Sequence, residues 1–242
     1  YNWRYTEDGR TVDVAEYSTT RMTNDAISWL DNQPPDSPWF LWLAYTAPHT
    51  PLHIPPADLH TQPGLTGERQ HIRNNSMSYY KAAAEALDTE LGRLLDHIGE
   101  EELAKTWIIF VGDNGSPGQI IPQPRTRNQA KGTLSEGGIH VPVVISGPGM
   151  VEPGRYVSAP INLADLYSTI AELTGRERAQ LEAGNALIDS VSLVPYLTQS
   201  QTNDQRSWIY SEIFGSEIDP AREGRTISDR QYKLIRFDQG SI

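Results

Sequence analysis

A chain of 242 residues is long enough for one large α/β domain and can bury roughly 70–75% of its unfolded surface. Acidic side chains number 31 against 20 basic ones, for a formal net charge of −11. That balance excludes nucleic acid or an anionic membrane as the expected partner, so any anion site has to be a local basic pocket. There is no cysteine, which excludes disulfides, thiolate metal sites and cysteine nucleophiles within these residues. No stretch approaches the ~20 apolar residues of a membrane helix, so no span is expected.

Residues 1–18 read as polar and irregular. Thr19–Asp31 is predicted as a helix with Met22, Ala26, Ile27 and Leu30 on one face, and Pro34-Pro35-Asp36-Ser37-Pro38 ends it. The almost wholly apolar run Trp39–Tyr45 predicts a strand buried on both faces. It closes in Thr46-Ala47-Pro48-His49-Thr50-Pro51, a loop stiffened by proline. Ser76–Ile98 is the clearest helix: Tyr80, Ala84, Leu87, Leu91, Leu94 and Ile98 recur at spacings of three and four, and Gly99 stops it. Glu85 and Asp88 read as its solvated face or as cap and ion-pair partners. Trp107–Val111 and Val141–Ser146 predict two further strands. Leu163–Leu173 predicts an amphipathic helix with Leu163, Leu166, Ile170 and Leu173 inward and Gly175 just past its end. The polar stretch Thr198–Asp204 reads as a linker or surface loop, and Ser207–Ile213 and Gln231–Phe237 as short strands of a smaller element. Strands alternating with helices imply the α/β class.

The chemistry concentrates where Trp107–Val111 ends. Gly112-Asp113-Asn114-Gly115 follows that apolar run, and ligands of open α/β sheets bind just past the carboxyl ends of strands. Asp113 and Asn114 offer two hard oxygens to a divalent cation. Lys131 follows within one loop and can supply a positive charge for an anionic substrate; Arg125 and Arg127 nearby make a basic cluster, and all three equally fit solvated surface charges. A metal and a lysine at a strand end suggest chemistry on a sulfate or phosphate group. His49, at the other predicted strand end, is a candidate proton donor or anion ligand because histidine titrates near neutral pH. Asp-Asn-Gly by itself is also ordinary turn chemistry, and a histidine between prolines is also an ordinary surface residue.

The ordered set of segments resembles the sulfatase family of the alkaline-phosphatase superfamily. The resemblance is carried by Phe40-Leu41-Trp42-Leu43-Ala44-Tyr45-Thr46-Ala47-Pro48-His49-Thr50-Pro51, Tyr80 through Asp88, and Leu91-Gly92-Arg93-Leu94-Leu95. Ile108 through Gly115, Lys131-Gly132-Thr133-Leu134-Ser135-Glu136-Gly137-Gly138, Leu163 through Tyr167 and Asp189 through Leu193 continue it. It implies a partial alkaline-phosphatase-like mixed sheet flanked by helices. Residues 1–198 would be the C-terminal portion of the catalytic domain, and 199–242 the start of a small α+β subdomain. It further implies Asp113 and Asn114 as ligands of a calcium or magnesium ion. Lys131 would bind a sulfate oxygen, and His49 would help protonate the leaving alcohol.

The family's formylglycine arises from a Cys/Ser-x-Pro-x-Arg motif, and its metal site also uses an Asp-Asp pair. Neither stands in this chain. The expectation is therefore a sulfuric-ester hydrolase whose nucleophile half lies outside these residues, acting on a small-molecule or glycan sulfate ester and inactive by itself. A phosphodiester or phosphonate monoester hydrolase of the same superfamily, and a non-catalytic domain, are the alternatives. Periplasmic, extracellular and cytoplasmic locations are equally compatible with the sequence.

Overall fold

The structure, a computed structural model, describes residues 1–121, 129–182, 187–215 and 222–238. Two units divide the chain, Tyr1–Ala104 and Lys105–Ile242.

The first unit opens with a hairpin that the sequence reading missed: β1 (Trp3–Glu7) pairs antiparallel with β2 (Arg10–Val14). Its turn is Asp8-Gly9, both at positive φ, which matches the twist of the flanking strands. Next come α1 (Ser18–Asp31), α2 (Arg69–Asn74) and α3 (Ser76–Leu103). Inside α3 Gly99 leaves helical geometry at φ 76°, so the regular helix stops at the predicted glycine and a further turn follows.

The stripe that α3 buries is Tyr79, Ala82, Ala83, Ala86, Glu90 and Leu94, offset from the predicted one. Alanines let a neighbouring backbone come close, while the bulkier Leu87 and Leu91 flank the contact and remain half-buried. Burying Leu94 contributes about 1.5–3 kcal/mol. Helix α1 packs on α3 through Thr19, Thr23 and Ala26. A polar thread runs across that contact. The buried Glu90 accepts from Thr20 Oγ1 at 2.6 Å and from Arg93 Nε at 2.9 Å, and Arg93 reaches Asn24 Oδ1 at 2.9 Å. Buried charge requires such partners.

Residues 39–45 do not form the expected strand; they are extended without a ladder. Their exposure alternates, with Phe40 62% and Trp42 77% exposed while Leu41 and Leu43 are half-buried. A strand needs an adjacent backbone as well as an apolar run, and no ladder partner stands beside this one among the described residues.

Glu85 also departs from the solvated role expected of it. Its carboxylate accepts from the Thr61 backbone N–H at 2.6 Å, from Thr61 Oγ1 at 3.0 Å and from Gln62 Nε2 at 2.5 Å, pinning loop 61–62 to α3. The backbone hydrogen bond from Thr61 is the largest cause holding its pKa below the ordinary glutamate value. Tyr79 secures the same loop farther on, accepting from the N–H groups of Thr66 and Gly67 at 3.2 and 3.1 Å.

In the second unit β3 (Ile108–Val111) leads to α4 (Glu136–Ile139) and then to β4 (Val143–Ser146), which pairs antiparallel with β3. Helix α5 (Asp165–Leu173) buries Asp165, Ser168 and Thr169 rather than the predicted leucine face, because the buried side is organised around the Asp165 carboxylate, and it ends in a Schellman motif. Gly175 sits at φ +79°, its N–H donates to Glu172 O at 2.9 Å, and the Arg176 N–H donates to Ala171 O at 2.8 Å. The short helices α6 (Arg178–Leu181) and α7 (Val194–Thr198) follow. A three-stranded antiparallel sheet comes last: β5 (Ile209–Ile213), β6 (Gly224–Ser228) and β7 (Lys233–Phe237), with β6 central. The sequence reading anticipated β5 and β7 and missed β6.

Arginines tie this unit together from within. Asp165 is 0% exposed and accepts from both Arg206 Nη2 and Arg206 Nε, and from the N–H groups of Asn162 and Val191. Arg206 also donates to Asp189 O at 2.7 Å. Arg178 donates to Ser190 O and Ile188 O, at 2.9 and 2.7 Å. Arg155 donates to the carbonyls of Tyr196, Gln199 and Ser200 at the end of α7. Among the described residues no helix is long and apolar enough to cross a membrane.

Two stability predictions follow from these contacts. Asp165→Ala leaves the Arg206 guanidinium buried without its carboxylate and costs about 3–5 kcal/mol, read by urea unfolding. For Glu85 the folded pKa is depressed, so its contribution is present above the unfolded glutamate pKa and is lost as pH falls through the folded one. The stability gap between wild type and Glu85→Gln is then largest near neutrality and closes at acid pH; a pH-independent gap contradicts this.

Candidate functional site

Strand β3 ends at Val111 and its backbone turns at once against the segment after α4. The Gly112 N–H donates to Pro142 O at 3.0 Å, and the Gly115 N–H donates to Gly138 O at 2.9 Å. One residue later the direction reverses, and the Lys131 N–H donates to Ser116 O at 2.9 Å. The Asp113-Asn114 turn and the lysine segment are thus held to each other by main-chain bonds. Ile120, Ala130 and Leu134 are buried beside this crossing.

The crossing is possible because glycines meet there. A Cβ on Gly115 would fall well under 3.0 Å from Gly137 O, one on Gly137 would do the same to Gln129 O, and one on Gly138 to Thr133 O. These three positions need absent side chains rather than unusual φ. Thr133 Oγ1 braces the turn, donating to Ala130 O at 2.7 Å and lying 2.6 Å from Ser135 Oγ.

Asp113 and Asn114 are exposed side by side, with Asn114 Nδ2 donating to Asp113 Oδ2 at 2.6 Å. Lys131 is half-buried. The structure therefore brings three of the four predicted site residues onto two interlocked segments of one unit. Arg125 and Arg127 lie outside the described residues. His49 belongs to the first unit, at the end of the extended 39–45 run, and is exposed. Its Nδ1 lies 2.6 Å from Thr50 O. A carbonyl only accepts, so Nδ1 carries the proton and Nε2 is the nitrogen left to exchange one.

As a metal site this donor set is partial. Hard carboxylate and amide oxygens suit calcium or magnesium, yet calcium takes about six to eight oxygens. Among the described residues no group of three or more His, Cys, Asp or Glu is placed to hold an ion. Two further acids of this unit are committed elsewhere. Asp165 belongs to Arg206, and Glu136 accepts from Lys233 Nζ at 2.6 Å, with His140 Nδ1 3.6 Å away. Lys233 lies on β7, 97 positions along the chain from Glu136 at the head of α4. The sequence reading missed this link, as no local pattern marks a pair so far apart. It also missed the glycine crossing, whose signal was the Gly137-Gly138 pair.

The family model described as Sulfatase matches residues 1–176. The uncharacterized sulfatase YdeN of Escherichia coli (strain K12) is 30% identical over 237 residues, covering 93% of this chain and 39% of that protein. The solved structure of Ps i-CgsB in complex with k-i-k-neocarrahexaose superposes with a TM-score of 0.75 at 26% identity, covering 97% of this chain and 49% of that one. The phosphonate monoester hydrolase from Silicibacter pomeroyi shares the fold, with a TM-score of 0.68 at 24% identity over 91% of this chain and 52% of that one. The chain thus spans about half or less of these proteins' length.

The crossing yields a direct test. Gly115→Ala forces a methyl group onto the Gly137 carbonyl and is expected to cost at least about 1–3 kcal/mol. Hydrogen exchange should show the Gly115 and Lys131 amides losing protection together while α3 keeps its own. Independent behaviour of the two amides contradicts the interlock.

Proposed function

The chain belongs to the sulfatase family and has that superfamily's α/β fold, and from this we propose that it is part of a sulfuric-ester hydrolase. We assign residues 1–198 to the C-terminal portion of the catalytic domain and 199–242 to part of a small C-terminal subdomain. The observation that carries the reading is the interlock: a hard-oxygen pair, Asp113 and Asn114, and a cation, Lys131, held by backbone bonds at the end of a strand.

Cleavage of a sulfate ester places negative charge on the leaving oxygen and keeps it on the non-bridging ones. Lys131 offsets that charge, and a positioned cation of this kind is worth about 10²–10³ in rate. His49, with Nδ1 committed to Thr50 O, delivers a proton from Nε2 to the departing alcohol. The ordered family motifs, rather than any measured approach of the two residues, support assigning both to one reaction. Asp113 and Asn114 would hold two positions of a calcium or magnesium ion, whose remaining ligands would come from the length of the relatives that this chain does not span. Such an ion, when bound, stabilises charge on the ester oxygens. The nucleophile, a formylglycine in this family by resemblance, belongs to that same remaining length. A sulfated small molecule or glycan is the proposed substrate, in keeping with the carrahexaose bound by Ps i-CgsB.

The fold is shared with a phosphonate monoester hydrolase, so the experiment compares both ester classes. In the complete protein carrying this chain, an aryl sulfate should turn over faster than a phenyl phosphonate monoester. Lys131→Ala should lower kcat about 10²–10³-fold. His49→Ala should slow alkyl or sugar sulfates far more than nitrophenyl sulfate, because a good leaving group needs no acid. The 242-residue chain alone should not turn over either class. Preference for the phosphonate assigns the alternative chemistry, and unchanged kcat in Lys131→Ala removes the lysine from the mechanism.

A further inference from the structure

We propose that Asn114 is a latent deamidation site that the Gly115–Gly138 hydrogen bond keeps closed, and that its conversion, once it occurs, prevents the interlock from forming again. Asn114-Gly115 is the only Asn-Gly step in the sequence. Such a step is the most open to this chemistry, because glycine places no side chain over its own nitrogen. The Gly115 nitrogen, having given its proton to a solvent base, attacks Asn114 Cγ. A carbon–nitrogen bond forms, the bond to the side-chain amide breaks, and ammonia leaves a five-membered succinimide. Water then opens either carbonyl, giving aspartate or an isoaspartate whose main chain runs through the former side chain.

Three features of the fold oppose the first step. The Gly115 N–H donates to Gly138 O at 2.9 Å, so the nitrogen neither meets a solvent base nor turns toward Cγ while that bond holds. The Asn114 amide is itself engaged, donating to Asp113 Oδ2 at 2.6 Å. The Gly115 backbone is wedged against Gly137 so closely that a methyl group would not fit. Conversion therefore proceeds only from molecules in which the interlock has opened, and its rate scales with the open fraction.

The same geometry makes the product a one-way outcome. An aspartate at 114 sets a second carboxylate where the amide now donates to Asp113, replacing a hydrogen bond by repulsion. Isoaspartate lengthens the main chain by one atom next to the point where Gly115, Gly137 and Gly138 have no room for one carbon. Neither product restores the Gly115–Gly138 bond in its present place.

The test incubates the 242-residue chain at mildly alkaline pH, folded and in urea. Conversion is read by mass mapping of the peptide containing Asn114 and by isoaspartyl methyltransferase labelling. The folded chain is expected to convert at least about tenfold more slowly than the unfolded one, the factor set by the open population. Gly138→Ala, whose methyl group meets Thr133 O, should move the folded rate toward the unfolded rate, and Asn114→Gln should abolish the signal at this peptide. Equal rates for folded and unfolded wild type overturn the proposal. So does a Gly138→Ala protein that has lost hydrogen-exchange protection at Gly115 yet converts no faster than wild type. Should Gly138→Ala fail to fold, the wild-type comparison decides alone.

Discussion

Two strands of backbone cross at Gly115, Gly137 and Gly138 with no space for a carbon between them, and the candidate chemistry of this unit hangs on that contact. Functional groups carried on loops are precise only when something rigid sets the loop. Here the rigidity comes from main-chain hydrogen bonds: 112 to 142, 115 to 138 and 131 to 116. A contact of this kind does not depend on the packing of side chains, and it leaves those of Asp113, Asn114 and Lys131 available for chemistry. It has one strict demand, which is that glycine occupy the crossing points.

A second layer steadies the first. Lys233 reaches from the terminal sheet to Glu136 at the head of α4. Half-exposed ion pairs add little to global stability, and this one acts by restricting where the α4 turn sits. The buried Asp165–Arg206 pair works differently. It satisfies the start of α5, the Val191 N–H and the Asp189 carbonyl together, so several loops share one charged knot. In the first unit, Glu90 and Glu85 play comparable parts, one inside the α1–α3 contact and one pinning loop 61–62 to α3.

Helices were legible in the sequence to the extent that their periodicity was. The bounds of α1 and α5, and the stop at Gly99, follow from apolar spacing and glycine. The buried stripe of α3 was not, because small alanines and a partnered Glu90 hold the centre of a contact that hydropathy assigns to leucines. The Asp8-Gly9 hairpin carried a two-residue turn signal that a polar composition obscured. Residues 39–45 carried a strand signal that the described residues do not answer with a ladder, since pairing is a property of two segments. For the site, Asp113, Asn114 and Lys131 were legible as types in an order. That they belong to interlocked segments was not, because close backbone approach leaves no periodicity, only a pair of glycines. Long-range partners such as Lys233 for Glu136 leave no local trace at all.

The inward use of arginine in the second unit has a consequence for encounter kinetics. Arg155, Arg178 and Arg206 donate to carbonyls of their own fold and pair with Glu152, Glu182 and Asp165, so their charge is matched locally and builds no cationic face. At a formal charge of −11 the long-range field of this chain opposes an approaching anion, and it is screened beyond one Debye length, about 8 Å at physiological ionic strength. Under the proposed function, added salt would then ease the approach of an anionic ester to this chain instead of slowing it. Selectivity for an anion in such a setting comes from what fits against the lysine, not from what the surface gathers.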